Sequence, residues 1–153
     1  MSNVTDATYM FNYCLSINEL ILPNWNLSKC ATACMFQGMH HLNYIDIRNA
    51  NLQNCSNIEG MFNIHAHTGE SPTVDSALDS QLSEIHMDNV VPPTNNTSFA
   101  QIFDIPTTTK LYLPNVHKTK WQSIIAQMIA DHNNGVADAG LTSILSESQI
   151  VWV

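Results

Sequence analysis

Basic residues are scarce in this chain, and so are charges of either sign. The 153 residues include 5 Lys and Arg against 13 Asp and Glu, and charged residues make up only 12%. The formal net charge of −8 argues against nucleic acid, whose phosphates attract basic patches. It also argues against anionic membrane surfaces. We therefore expect no nucleic-acid partner.

Long apolar runs and glycine are scarce as well. No apolar run approaches the roughly 20 residues of a membrane-spanning helix, and Met1 leads into repeats rather than a signal peptide, so we expect no membrane insertion. With 5 glycines, the chain has no phosphate-binding loop, and it carries none of the common catalytic motifs. His65 and His67 would need a third ligand, for which His86 is a candidate, and a fixed geometry to hold a metal, and His65 can instead pack in the column of Cys14 and Met39. We expect no enzyme activity, no cofactor and no metal.

The four cysteines leave two interpretations open. Cys30 and Cys34 are four residues apart, so a disulfide is conceivable. The spacing does not match a disulfide-rich scaffold, and Cys14 and Cys55 occupy positions that the repeat pattern assigns to the core. We favour four small buried hydrophobic side chains.

A short phrase that ends in an apolar residue and phenylalanine occurs four times. Its last two residues are Met10-Phe11, Met35-Phe36, Met61-Phe62 and Ile102-Phe103. The phenylalanines are 25, 26 and 41 positions apart. A period of this length is typical of solenoid proteins. Stacking would bring the phenylalanines into one ladder, and Asn, Ser or Thr before each phrase predicts one or two capped helical turns.

An alternating segment follows each phenylalanine and predicts a β-strand. The four predicted strands are 19–22, 44–47, 84–87 and 110–113. Because side chains alternate between the faces of a strand, one face of a stacked parallel sheet would be core and the other open and polar. Residues 65–80 interrupt the third repeat with a polar insert, which we expect to be functional or disordered.

The chain after Pro114 has a different pattern. Asn115 can cap a helix from about Val116 to His132, whose apolar stripe begins at Trp121. A final strand is predicted at 149–153. We therefore divide the chain into a repeat region, 1–115, and a C-terminal capping helix and strand, 116–153.

The repeat resembles the BspA-like leucine-rich repeats of bacterial surface proteins, mycoplasma lipoproteins and phage-encoded proteins. The best matches are Asn3-Val4-Thr5, Met10-Phe11, Cys14 and Leu20-Ile21-Leu22. The resemblance implies an α/β leucine-rich-repeat solenoid of about four repeats with a parallel sheet, closed by a C-terminal helix and strand. It also implies adhesion or binding of a host component, and it transfers no catalytic residues.

The sequence thus predicts a non-enzymatic recognition module that binds a protein or glycan on a host or partner surface. Display on a bacterial surface or a phage particle is expected. Aromatic residues and arginine dominate binding hot spots, and the open sheet face carries both. The candidate ligand-binding residues are Tyr44, Asp46, Arg48, Glu84, His86, Asp88, Lys110 and Tyr112.

Two other interpretations remain. The first repeat has no N-terminal cap, so it could stack on another subunit or an upstream domain of a larger assembly. Alternatively, Asp46 beside His86 could form a proton-transfer pair of an enzyme, which we regard as an ordinary polar sheet face.

Overall fold

The computed structural model describes residues 3–64, 80–94, 98–136, 141 and 143–153. Its strands are β1 (Glu19–Ile21), β2 (Tyr44–Asp46), β3 (Glu84–His86), β4 (Lys110–Leu113) and β5 (Ile150–Trp152). One α-helix lies within the described ranges, α1 (Lys118–Asn133), and short 3-10 helices span Asn115–His117 and Glu147–Gln149. We number the repeats by their phenylalanines, from Phe11 in the first to Phe103 in the fourth. Most of the predicted insert, including His65 and His67, lies outside the described residues.

The five strands form one parallel sheet in the order of the chain, β1-β2-β3-β4-β5. The register joins Leu20 to Ile45, Ile45 to Ile85 and Ile85 to Leu111, and continues from Leu111 to Ile150. The four strands predicted from the alternating segments are confirmed in position and stacking order. The last strand is shorter than predicted, because it begins at Ile150 and ends at Trp152.

The core lies on one side of this sheet. Ile45, Ile85 and Leu111 are fully buried, and the predicted phenylalanine ladder is confirmed opposite them. Neighbouring rings of the ladder stack with centroids 5.8, 5.3 and 5.7 Å apart. Trp25 contacts the first ring at 6.3 Å, and Trp121 of α1 contacts the last at 6.0 Å. The α/β class and the parallel sheet therefore follow from the apolar columns.

The segments before the phenylalanines are not the helical turns that we predicted. They form tight turns in which Tyr9, Cys34 and Gln101 have positive φ, 59°, 52° and 54°. Two of these amides bond to the next repeat rather than back along a helix: Tyr9 N–H donates to the Ala33 carbonyl at 3.1 Å, and Cys34 N–H donates to the Glu59 carbonyl at 2.8 Å. Left-handed residues interrupt a helix, so the Asn, Ser and Thr side chains shape turns here instead of capping helices.

A second ladder, which the sequence analysis did not identify, runs along the turns after β1, β2 and β3. Asn24, Asn49 and Asn89 all have φ near 60°, a conformation that asparagine tolerates better than most residues. Asn49 Nδ2 donates to Asn24 Oδ1, and Asn89 Nδ2 donates to Asn49 Oδ1, both at 3.1 Å. The asparagines thus connect three repeats through side-chain amides.

The C-terminal helix starts later than predicted. Asn115 opens a 3-10 helix, and α1 begins at Lys118 with His117 at its N-cap and no side-chain cap hydrogen bond. The predicted capping role of Asn115 is therefore wrong. The apolar stripe is confirmed, since the buried residues of α1 are Trp121, Ile124, Ile125 and Met128.

All four cysteines are free thiols, as we favoured. Cys30 and Cys55 are buried, whereas Cys14 and Cys34 are half-buried. Cys55 Sγ donates to the Cys30 carbonyl at 2.7 Å, and burial raises the pKa of the Cys55 thiol. This protonated thiol serves as a small core side chain, and it also contacts the Asn57 carbonyl at 3.3 Å and the Thr32 hydroxyl at 3.5 Å.

Candidate functional site

The side of the sheet opposite the core is the candidate site, and we call it the outer face. Its first row contains Glu19, Tyr44, Glu84 and Lys110, and its second row contains Ile21, Asp46, His86, Tyr112 and Val151. Both rows follow from the side-chain alternation of short parallel strands. Of the eight predicted binding residues, six belong to these rows, and Arg48 and Asp88 follow β2 and β3 at the same end.

Three rings from neighbouring strands form a continuous stack on the outer face. The ring centroids of Tyr44 and His86 are 5.2 Å apart, with planes tilted by 40°. Those of His86 and Tyr112 are 4.1 Å apart and nearly parallel, at 10°. All three residues are half-buried. The result is a partly exposed aromatic ridge across β2, β3 and β4.

His86 lies between two carboxylates. Its Nε2 is 2.8 Å from Glu84 Oε2, and its Nδ1 is 3.4 Å from Asp88 Oδ2. The Tyr112 hydroxyl donates to the second oxygen of Glu84 at 3.5 Å, which is long for such a bond. The hydrogen bond to Glu84 holds the imidazole in the plane that stacks on Tyr112, whereas Asp88 Oδ2 makes no hydrogen bond.

Asp46 does not pair with His86 as the enzyme interpretation requires. Its side chain is only 1% exposed, and Arg48 Nε lies 3.0 and 2.9 Å from its two oxygens. The Arg48 backbone N–H also donates to Oδ1 at 2.9 Å. Burial raises the pKa of Asp46, but these hydrogen bonds outweigh it and hold the pKa below its usual range. Asp46 is therefore a buried counter-ion, and Arg48 covers it.

The two tyrosines on the ridge stay protonated well above neutral pH. Desolvation raises the pKa of Tyr44, with the nearby Asp46 carboxylate adding to it. Desolvation also raises the pKa of Tyr112, with Glu84 as the next cause. Both hydroxyls therefore remain neutral hydrogen-bonding groups for a ligand.

The cations of the outer face are engaged by the protein itself. Arg48 is held by Asp46, and Lys110 Nζ donates to the Ser148 carbonyl at 2.7 Å beside β5. The eight predicted residues thus lie on one face, but they have different tasks. Tyr44, His86 and Tyr112 form the partly exposed ridge, and Glu84 holds the imidazole. Asp88 lies beside the imidazole, and the others bond to groups of the protein itself.

The apolar ends of the second row were not among the predicted site residues. Ile21 on β1 and Val151 on β5 flank the polar residues of the three inner strands, and Ile21 is 55% exposed. The contrast of Ile21 with Asp46, His86 and Tyr112 in the aligned strands was the available signal. Within the described ranges, no group of three or more His, Cys, Asp and Glu side chains is arranged to hold a metal ion.

The comparisons with known proteins identify a family. Residues 1–92 match the family model described as "Mycoplasma protein of unknown function, DUF285". The chain belongs to the DUF285 family. The match spans the first three repeats, including β1 to β3 with Tyr44 and His86. No curated protein and no solved structure matches the chain.

None of the helices in the described ranges is long and apolar enough to cross a membrane.

Proposed function

We propose that this DUF285 protein is a non-enzymatic recognition module whose outer face binds a protein or glycan ligand. It would act on a bacterial surface or a phage particle. We further propose that its fold is a BspA-like leucine-rich-repeat solenoid. Three features support the fold: one parallel strand per repeat in chain order, the phenylalanine ladder and the asparagine ladder. Stacked repeats of this kind usually present extended binding surfaces.

The observation that carries the binding proposal is the ridge of Tyr44, His86 and Tyr112. Aromatic side chains supply large contact areas at low entropic cost and are enriched at binding hot spots. Here the rings are already stacked, and His86 is held by Glu84. A ligand would therefore meet a preorganised surface and would not bear the cost of ordering it.

The charge of the outer face restricts the ligand further. The charge of Arg48 is balanced by Asp46, which leaves Lys110 as the one unbalanced cation of the eight residues, bonded to the neutral Ser148 carbonyl. Glu84 and Asp88 border the ridge, and the whole chain is acidic. These features favour a neutral glycan or a peptide segment without acidic residues.

The test is binding of the purified protein to a glycan array and to an array of purified extracellular proteins. The test variant is Tyr44→Ala/Tyr112→Ala, which removes both tyrosines from the ridge and leaves Asp46 covered by Arg48. We expect wild-type binding on one array and at least about a tenfold weaker signal for the variant, since two hot-spot residues are lost.

The matched control is Tyr44→Phe/Tyr112→Phe, which keeps the rings and removes only the hydroxyls. Retained binding by this control would assign the affinity to ring contacts, and lost binding would assign it to the hydroxyls. If the double alanine variant binds as tightly as wild type while circular dichroism shows both folded, the outer face is not the ligand site.

A structural role in a larger assembly is the second proposal, and one observation favours it. Exposed large apolar side chains are concentrated in the first repeat: Tyr9, Met10, Tyr13, Leu15 and Ile21. Apolar patches of this kind mark interaction surfaces. A subunit that stacks on the first repeat would cover them.

A further inference from the structure

Within the described residues, the N-terminal end of the stack has the same apolar columns as the interior, but they are less completely covered, with Trp25 against Phe11. Phe11, Ile17 and Leu22 are half-buried. Their counterparts Phe36, Leu42 and Ile47 are buried to within 1%. An apolar surface that continues these columns would complete their burial.

The C-terminal end is open in a complementary way. A cavity of about 470 Å³ lies between α1 and β5. Six of its lining residues are Ile125, Ala126, Ile129, Leu145, Ile150 and Trp152. Ile150 and Trp152 are in register with the core residues Leu111 and Leu113 of β4, so this groove is the open end of the core itself.

The backbone is open at both ends as well. Leu22 N–H donates to the Asp46 carbonyl at 2.7 Å, so its neighbour Ile21 directs its N–H and C=O away from β2, because backbone groups alternate along a strand. Likewise Val153 N–H donates to the Leu113 carbonyl at 3.0 Å. The backbone N–H and C=O of Trp152 are therefore directed away from β4. In the register of the sheet, Trp152 N–H matches the Ile21 carbonyl of a following β1.

The side chains of the two edges match in that register. Ile150 would lie beside Leu20, Val151 beside Ile21 and Trp152 beside Leu22. Val151 and Ile21 are the apolar members of the second row of the outer face, which is polar on the three strands between them. Apolar contacts would thus form on both sides of the joined sheet.

We propose that the protein associates head to tail with a second copy, β1 of one copy pairing with β5 of the next. The apolar side chains of the first repeat would enter the groove between α1 and β5. This inference rests on the proposed structural role, whose partner it names, and is independent of ligand binding at the outer face. Such a contact uses two different surfaces, so it extends into open chains unless the rotation closes a ring.

Net charge opposes this association. Each copy carries a formal charge of −8, so copies repel each other at low ionic strength. Salt screens this repulsion, with a Debye length of about 30 Å at 0.01 M and about 8 Å at 0.15 M. We therefore expect association to strengthen as salt increases, which is opposite to the behaviour of an ion-paired interface.

The experiment is sedimentation velocity of the full chain over a concentration series, at low and high salt, with a reductant present because Cys14 and Cys34 are half-buried free thiols. We expect the mass of the wild type to rise above 17.1 kDa as concentration increases. Ile21→Lys places a charge on the β1 edge, and Ala126→Lys places one in the groove. Each should weaken self-association at least about tenfold, or about 1.4 kcal/mol.

One control changes Ile21 without adding a charge, and the other adds the lysine at a different position of α1. Ile21→Val retains an apolar β-branched side chain on β1. Ala130→Lys adds the same charge to the same helix at an exposed position one turn from Ala126. Both controls should associate like the wild type.

Mixing the two edge variants provides the decisive result. Each variant keeps one intact end, so an equimolar mixture should form dimers of about twice the monomer mass and stop there. A wild type that stays monomeric at both salt concentrations would overturn the inference. If Ile21→Lys disrupts association and Ala126→Lys does not, assembly through the first repeat stands, but the groove is not its partner.

Discussion

The first and third repeats are built from the same columns, yet they differ in what surrounds them. Phe62 is fully buried between Phe36 and Phe103, whereas Phe11 is half-buried and has a phenylalanine on one side only. The asparagine ladder differs in the same way, since Asn49 both donates and accepts while Asn24 only accepts. In this molecule the contribution of a residue depends on its position in the stack as much as on its type.

The largest test of this difference is truncation of the phenylalanine ladder. Phe62→Ala should lower the free energy of unfolding by about 3–5 kcal/mol, because it removes a buried ring and leaves a cavity. Phe11→Ala should cost about half as much or less, since water already reaches that ring. Urea unfolding followed by far-ultraviolet circular dichroism measures both. Equal losses would mean that the first repeat is as well packed as the third.

The asparagine ladder offers a test of intermediate size. Asn49→Ala loses two side-chain hydrogen bonds and places alanine at φ 60°, so we expect a cost of about 1–3 kcal/mol. Asn24→Ala has the same backbone strain and loses one bond, so it should cost about 1 kcal/mol less. The same urea experiment applies.

Asn49→Gly separates the two causes. Glycine adopts positive φ without strain, and therefore this variant reports mainly the lost hydrogen bonds. Stability equal to that of wild type would show that the ladder contributes only through backbone conformation.

The smallest expected effect concerns two aspartates with similar turns. Asp6 Oδ1 accepts the Thr8 N–H and Asp46 Oδ1 accepts the Arg48 N–H. Hydrogen bonds to Thr8 lower the pKa of Asp6, which is exposed, whereas Asp46 is covered by Arg48. A lowered pKa means that the folded state binds its proton less readily than the unfolded chain. Its stabilisation is therefore complete above the unfolded pKa of about 3.9 and is lost as pH falls through the folded pKa.

Unfolding measured from about pH 6 down to about pH 2 tests this. We expect the free energy of unfolding to depend less on pH in Asp46→Asn than in Asp6→Asn, because water screens the exposed carboxylate of Asp6. A weaker pH dependence in Asp6→Asn would reverse the assignment and place the acid-sensitive contact in the first repeat.

The sheet could be predicted because its signals are local and periodic. One apolar residue recurs in each repeat between alternating neighbours: Leu20, Ile45, Ile85 and Leu111. This pattern predicts the position of each strand, the face that is buried and the register between strands. Asn24, Asn49 and Asn89 recur at the same spacing and could have been found, since asparagine at a strand end is a known signal for left-handed turns. The partner of Asp46 was harder to predict, because the sequence places both its neighbour Arg48 and the cross-strand His86 within reach, and the structure joins Asp46 to Arg48.

Other features had no sequence signal. Tyr9, Cys34 and Gln101 have positive φ, and none of these residue types favours that conformation by itself. At Tyr9 and Cys34 the conformation accompanies a hydrogen bond from the amide to the next repeat. Helical propensity in those segments was therefore overridden by contacts between repeats. The start of α1 at Lys118 rather than near Asn115 is a difference at an element boundary, where propensity decides little.

The register across the third repeat has a practical consequence. Phe36 and Phe62 stack at 5.3 Å, and Ile45 pairs with Ile85. This alignment holds although the chain from Phe62 to Ile85 is much longer than the chain from Phe36 to Ile45 in the second repeat. Extra residues between Phe62 and β3 therefore leave both neighbouring columns aligned, and lengthening a closed segment costs little additional entropy. We therefore expect the segment after Phe62 to accept a foreign epitope or a protease site while the neighbouring strands keep their register.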